Sequence, residues 1–446
     1  MIPRIVIAGT SSGAGKTTVA SGLIGAFRTR GLTVQGFKVG PDYIDPSYHA
    51  LASGRPGRNL DAFLSGPELI APLFRHGGSG ADIAVVEGVM GLFDGASGRG
   101  ELASTAHVAK LLDAPVLLVV DGSAMARSAA AVVHGFQTFD LDLKVAGVIL
   151  NRIGSDTHER LLREAIASLP SPLPVLGALR RDDQIIAPER HLGLVPAGER
   201  SERAGPVLRR LAEAVAQQLD LDAIERLARA APSTPGPRWS PDSTVHSRPV
   251  RIAIAHGPAF SFHYQENLEL LSAAGAELAP FDPTVDERLP EATDALILAG
   301  GFPEVFGAEL EANVSLRGEV AAFAAAGRPV LAECGGLLYL LDRLDDHAMC
   351  GALPGRAQMA GRLTLGYREA TAATSTPWLT AGTAVRGHEF HYSAIEAAGS
   401  PAWTLSTRGT SRPDGIVSGA VQASYLHVHW AAYPDLAARF IRAAAG

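Results

Sequence analysis

Apolar runs without polar alternation recur through the first half of the chain, at Arg4 to Gly9, Thr33 to Lys38, Ile83 to Glu87, Pro115 to Asp121, Val145 to Asn151 and Val175 to Ala178. Runs this short predict strands buried on both faces. Helical segments separate most of them, including Thr17 to Arg30, Ala124 to Phe139 and Asp156 to Ser168. That alternation predicts an α/β fold with a parallel sheet covered by helices on both sides. Val207 to Ala230 reads as one amphipathic helix. From Ala231 the chain turns to Ala-Pro-Ser-Thr-Pro-Gly-Pro-Arg-Trp-Ser-Pro-Asp-Ser-Thr, too rich in proline and serine to carry a helix or a central strand. A first domain over residues 1–230, a linker over 231–248 and a second domain over 249–446 follow. Beyond the linker, Val250 to Ala255, Ala295 to Leu298 and Pro329 to Ala332 repeat the same logic in a smaller α/β domain. Runs near Arg362 to Ala370, Gly382 to Tyr392 and Ile416 to Trp430 are expected to extend its sheet.

Composition narrows the functional classes. A chain of 446 residues, 47% hydrophobic and 19% charged, can bury more than one core. No apolar run approaches the roughly 18 residues of a membrane span, and Met1 to Gly9 lacks the apolar core and cleavage site of a signal peptide. A cytoplasmic location with no membrane partner is expected. The net charge of -7 argues against nucleic acid and for small-molecule partners. Two cysteines, Cys334 and Cys350, supply neither a disulfide framework nor a metal cluster, which leaves chemistry at a free thiol open.

The first apolar run ends in Gly9-Thr-Ser-Ser-Gly-Ala-Gly-Lys-Thr-Thr18. A glycine-rich turn feeding a helix wraps backbone amides around phosphates, sets a lysine on the outer ones and leaves a hydroxyl for magnesium. Thr10, Gly13, Gly15, Lys16, Thr17 and Thr18 are therefore the expected ATP contacts, with Thr17 also on the metal. Thr10 stands six residues before Lys16, where the usual loop has glycine. Acidic partners lie at the ends of other runs. Glu87 closes one, Asp94 lies in the loop after it, and Lys38 is followed by Asp42 and Asp45. Carboxyl ends of parallel strands line the ligand crevice of such sheets. Glu87 and Asp42 are thus candidate metal ligands, and Lys38, Asp42, Asp45 and Asp94 candidate contacts to substrate or phosphate. Asn151, at the end of another run, is a candidate reader of the adenine edge.

In the second half, Val330-Leu-Ala-Glu-Cys-Gly-Gly-Leu337 reads as a strand turning sharply into a helix at a thiol. Such an elbow exposes the sulfur, supplies close backbone amides, and is expected to lower the thiol pKa below its reference near roughly 8.5. Gly335, together with Gly301 in the glycine loop after Leu298, is a candidate oxyanion donor. Near the C-terminus, Ser424-Tyr-Leu-His-Val-His-Trp430 puts Tyr425, His427 and His429 on one face if it is a strand. A histidine beside Cys334 could take its proton and return it to a leaving amine.

Gly300-Gly301, the Cys334 elbow and His427 resemble a class I glutamine amidotransferase domain, which hydrolyses glutamine through a cysteinyl thioester and releases ammonia. The third catalytic member of that family is a glutamate two residues after the histidine. Here His429 occupies its place and joins Cys334 and His427 as a catalytic candidate. The N-terminal half resembles dethiobiotin synthetase and related P-loop enzymes that activate carboxylates. Both halves in this order, with Lys38-Val-Gly-Pro-Asp-Tyr-Ile-Asp-Pro46, Glu87-Gly-Val-Met-Gly-Leu-Phe-Asp94, Pro188-Glu-Arg-His-Leu-Gly-Leu194 and Gly387-His-Glu-Phe-His-Tyr-Ser393, resemble the cobyrinic and hydrogenobyrinic acid a,c-diamide synthase family over nearly the whole chain.

The resemblance implies a ligase of cobalamin biosynthesis. With Mg2+, ATP would phosphorylate an acetate carboxylate of a corrinoid, and ammonia from L-glutamine would displace the phosphate. The ring could carry cobalt, nickel or no metal, and a homodimer is compatible with the resemblance. Cobyric acid synthase is the nearest alternative, disfavoured by the motifs at 188–194 and 387–393. A nucleotide-switch ATPase is the non-enzymatic one, disfavoured because Ser11 stands where those proteins carry a second lysine.

Overall fold

A computed structural model describes residues 2–182, 189–190, 193–194, 201–241, 249–407 and 409–446. Of the Pro188 to Leu194 motif, Pro188, His191 and Leu192 lie outside the described residues, as do residues 242–248 of the expected linker. The chain divides into two compact units, Met1–Ser240 and Pro241–Gly446.

In the first unit the six apolar runs become β1 (Arg4–Gly9), β2 (Val34–Val39), β4 (Ile83–Glu87), β5 (Val116–Asp121), β6 (Val145–Ile153) and β7 (Val175–Arg180). A seventh strand, β3 (Arg58–Leu60), is too short and polar to register in the hydrophobic pattern. The sheet order is β3-β2-β4-β1-β5-β6-β7, with every pair parallel. The order reverses at β1, the switch point where α/β sheets bind ligands beyond their carboxyl ends. Two residue pairs, β8 (Glu189–Arg190) and β9 (Gly193–Leu194), form a short antiparallel ladder.

The expected single helix over Val207 to Ala230 is instead two, Ser201–Gln218 and Leu221–Arg229. Between them the Asp220 backbone N–H donates to Leu176 O on β7 at 2.7 Å, and the Asp220 side chain caps the second helix through Ala223 N at 2.9 Å. A cap of this kind starts a new helix rather than continuing the old one. Residues after Ala231 pack on the first unit: Pro232 O accepts from Arg4 Nη2 at 2.7 Å, and Trp239 lies edge-on to His76 at 4.9 Å.

The second unit holds two sheets. β10 (Val250–Ala255), β11 (Ala276–Phe281), β12 (Ala295–Leu298) and β13 (Val330–Glu333) form the first with β20 (Ile416–Ser418) and β21 (Val421–Ser424), in the order β11-β10-β12-β13-β21-β20. The runs near 362–370 and 382–392 do not extend it. They belong to long strands β16 (Gly355–Ala372) and β17 (Ala384–Ala397), paired antiparallel in a separate sheet. That sheet also contains β14 (Arg343–Leu344), β15 (His347–Ala348), β18 (Trp403–Thr407), β19 (Thr410–Asp414) and β22 (His427–Val428). Parallel neighbours need a crossover segment, and no helix intervenes between β16 and β17, so the connection closes them as a hairpin.

Candidate active site

The loop after β1 adopts the conformation its glycines allow. Gly13 and Gly15 have φ of 76° and 97°, left-handed values that a side chain would strain. A methyl group on Gly15 would lie 2.0 Å from Asn151 Nδ2, which donates to Ala14 O at 2.9 Å. Asn151 therefore braces the phosphate loop from β6. Thr10 is tied to β5 through its N–H to Val119 O at 3.2 Å. Thr17 and Thr18 are partly buried in the first turn of the helix Lys16–Thr29.

Lys16 is 7% exposed and donates to Ser11 O at 3.1 Å and to Met90 O. Burial, then the neighbouring Lys38 charge, lower its pKa to about 8. Lys38 is held between two carboxylates, 2.5 Å from Asp45 Oδ2 and 2.8 Å from Glu87 Oε1, with Gly88 O at 3.0 Å. Burial alone would discharge it, but Asp45 and Glu87 outweigh burial and raise its pKa. Glu87 is fully buried. Burial opposes its ionisation, yet Lys38 and His49 keep its pKa well below the usual carboxylate range. Burial and the Asp42 and Glu87 charges push the Asp45 carboxyl up.

Glu87 links the whole group. Its Oε1 accepts from Thr17 Oγ1 at 2.6 Å, and its Oε2 lies 2.7 Å from His49 Nε2. The predicted Lys16, Thr17, Lys38, Asp45 and Glu87 thus converge. Asp42 and Asp94 do not join them by direct contact. Asp42 Oδ1 accepts from the backbone of Ile44 and Asp45 at 2.7 and 3.2 Å, capping the helix Ile44–Ser53. Asp94 is exposed and accepts from Gly91 N at 2.9 Å. His49 was not expected. Its spacing of four from Asp45 puts both on one helix face, a signal present in the sequence, and Gly36 makes room for it: a methyl there would lie 2.6 Å from His49 Cβ.

In the second unit, Cys334 has φ 48° and ψ -102°, a strained elbow between β13 and the helix Gly335–Leu340. The thiol is 3% exposed, and its Sγ lies 3.7 Å from Phe390 O. The expected lowering of its pKa is not found. Burial pushes the thiol well up, with the Glu304 charge adding to it, and the Gly335 N–H opposes them only in part. A methyl on Gly335 would lie 3.0 Å from Gly301 N, and one on Gly300 2.5 Å from His427 Cε1. The elbow, the glycine loop and His427 are therefore brought together.

Tyr425, His427 and His429 do not share one strand face. β21 ends at Ser424 in one sheet, and β22, which is only His427–Val428, pairs with β17 in the other. The three side chains separate accordingly. Tyr425 Oη meets Ser393 Oγ at 2.9 Å. His427 stacks on His388 at 5.0 Å, with its Nδ1 3.4 Å from Glu333 Oε2. His429 packs on Tyr264 at 4.6 Å and faces Glu266 at 3.5 Å. His429 is thus turned away to another carboxylate, and Glu333, beside the nucleophile in sequence, is a residue that the spacing argument passed over.

Residues 5–195 match the CobQ/CobB/MinD/ParA nucleotide binding domain and residues 251–434 the CobB/CobQ-like glutamine amidotransferase domain. Hydrogenobyrinate a,c-diamide synthase of Streptomyces coelicolor is 51% identical, over 99% of this chain and 97% of its own. The protein of the same name from Mycobacterium bovis is 50% identical over 100% and 98%, and cobyrinate a,c-diamide synthase of Syntrophotalea carbinolica 48% over 98% of each. The chain belongs to the a,c-diamide synthase family.

Members of this family are glutamine-dependent carbon-nitrogen ligases, and the chain is an enzyme of that class in cobalamin biosynthesis. The nucleotide-switch alternative is set aside. ATP and glutamine are its substrates. Among the described residues, no helix is long and apolar enough to cross a membrane.

Proposed function

We propose that the enzyme converts the a and c acetate carboxylates of hydrogenobyrinate or cobyrinate to amides. The observation that carries this reading is one chain joining a phosphate loop, backed by the buried Lys38, Asp45, Glu87 and His49 group, to a cysteine-histidine elbow. A carboxylate is a poor electrophile, so its oxygen first attacks the γ-phosphorus of ATP and ADP leaves. Lys16 holds the phosphates through this step. Ammonia then attacks the acyl carbon of the acyl phosphate, inorganic phosphate departs, and the amide remains.

Thr17 and Glu87 suit Mg2+. Their oxygens lie 2.6 Å apart, and an oxygen-only donor set is the kind this ion takes, together with substrate phosphates and water. No group of three metal-ligating side chains occurs among the described residues, which fits an ion completed by substrate. Thr17 and Glu87 would hold it, with Asp45 beside them, and once bound it would neutralise phosphate charge.

At Cys334 the thiol passes its proton to His427 as the thiolate forms. The thiolate attacks the glutamine amide carbon, and Gly301 and Gly335 amides take the developing oxyanion. The proton returns to the leaving nitrogen, ammonia is released, and water hydrolyses the thioester to glutamate.

The 51% and 50% identical relatives are named for the metal-free ring and the 48% one for the cobalt ring, so hydrogenobyrinate is the first substrate to test. A cytoplasmic location and a homodimer belong to the same proposal, and light scattering tests the latter. The deciding experiment incubates the enzyme with each ring, ATP, Mg2+ and glutamine, and reads product mass. Two carboxylate-to-amide conversions are expected. Cys334→Ser should lose glutamine use and retain amidation with ammonium salt, and equal loss of both would refute the division of labour.

A further inference from the structure

We propose that Glu333 is the positioning carboxylate of His427, replacing the glutamate that related amidotransferases carry two residues after the histidine. The inference rests on the glutaminase reading of Cys334 and His427. Three observations carry it. His427 is fully buried, and Glu333 Oε2 faces its Nδ1 at 3.4 Å. The other oxygen, Oε1, accepts from Val428 N at 3.4 Å, so one carboxylate spans the histidine and the next peptide. His429, in the position of the usual third member, faces Glu266 across 3.5 Å and is 1% exposed.

The chain path explains the exchange. β13 carries Glu333 and then Cys334, and it pairs with β21 in register Glu333↔Ser424. His427 follows three residues later, after the chain has crossed to β17, where it pairs with His388. Glu333 thus reaches His427 from the strand that delivers the nucleophile. A carboxylate at Nδ1 fixes the tautomer that leaves the Nε2 lone pair for the thiol proton, and it stabilises the imidazolium that follows. His427 also packs against His388, stacked at 5.0 Å from β17, and Phe262, with its ring at 6.5 Å. His388 is buried, and burial and then His427 hold its pKa well below the usual histidine value.

The test compares wild type, Glu333→Gln, Glu333→Asp, Glu266→Gln and Cys334→Ser, reading kcat and KM for glutamate release, with ammonium-supported amidation measured on each preparation to report folding. Glu333→Gln should lower kcat for glutamine on the order of 10²-fold relative to the ammonium rate, with KM changed far less. Glu333→Asp should recover part of the rate. An unchanged kcat in Glu333→Gln overturns the proposal, as does an equal loss produced by Glu266→Gln. Glutamate release surviving in Cys334→Ser would overturn the glutaminase reading and this proposal with it.

Discussion

Lys38→Met is the most informative single change in the first unit, because it strands two buried carboxylates. Asp45 and Glu87 side chains are 11% and 0% exposed, and the Lys38 ammonium lies 2.5 and 2.8 Å from them. Without it they repel in a medium that solvates neither. Removing one partner of a buried ion group destabilises by about 3–5 kcal/mol. For a unit of this size that is a fall of about 8–16 °C in the first melting transition.

The sign with pH follows from the same geometry. Asp45 already has a raised pKa, from burial and from the Asp42 and Glu87 charges, and the variant raises it further. A carboxyl with a folded pKa above its unfolded value binds a proton on folding at intermediate pH, so stability returns as pH falls. The deficit relative to wild type should therefore narrow from pH 7 to pH 5. Circular dichroism melts of both proteins at pH 5, 7 and 8 measure this, and Lys38→Met with Asp45→Asn should recover most of the loss. A deficit below about 1 kcal/mol at pH 7, or one that grows at pH 5, would refute the reasoning.

Two further predictions concern the two reaction centres. Lys16, with its pKa lowered to about 8 in the free enzyme, is increasingly neutral above that pH. ATP binding should then take up a proton and weaken as pH rises through 8, and calorimetry in buffers of different ionisation heat would show it, whereas equal affinity from pH 7 to 9 would contradict the shift. Gly300→Ala places a methyl 2.5 Å from His427 Cε1, so glutamine-supported activity should fall by on the order of 10²-fold through displacement of the base, while the ammonium-supported rate measures whether the fold survives. Equal rates with glutamine in variant and wild type would remove His427 from the reaction.

Strand periods, the turn chemistry of Gly13 and Gly15, and the elbow at Cys334 are local properties, and the chain alone determined them. So did the list of residues at strand ends, since a parallel sheet sends its carboxyl ends to one edge. Partner choice was decided only in three dimensions. Asp42 and Asp45 are alike in sequence, but the helix that Asp42 caps turns Asp45 toward Lys38. The register of β6 sets Asn151 against Ala14. The thiol pKa follows burial, which no motif encodes. His429 holds the position expected of a glutamate, yet the change of sheet after Ser424 turns it to Glu266 and leaves His427 with Glu333, 94 positions earlier. Motif spacing measures distance along one segment, whereas these pairings depend on sheet register and on which side chains share a water-poor interior.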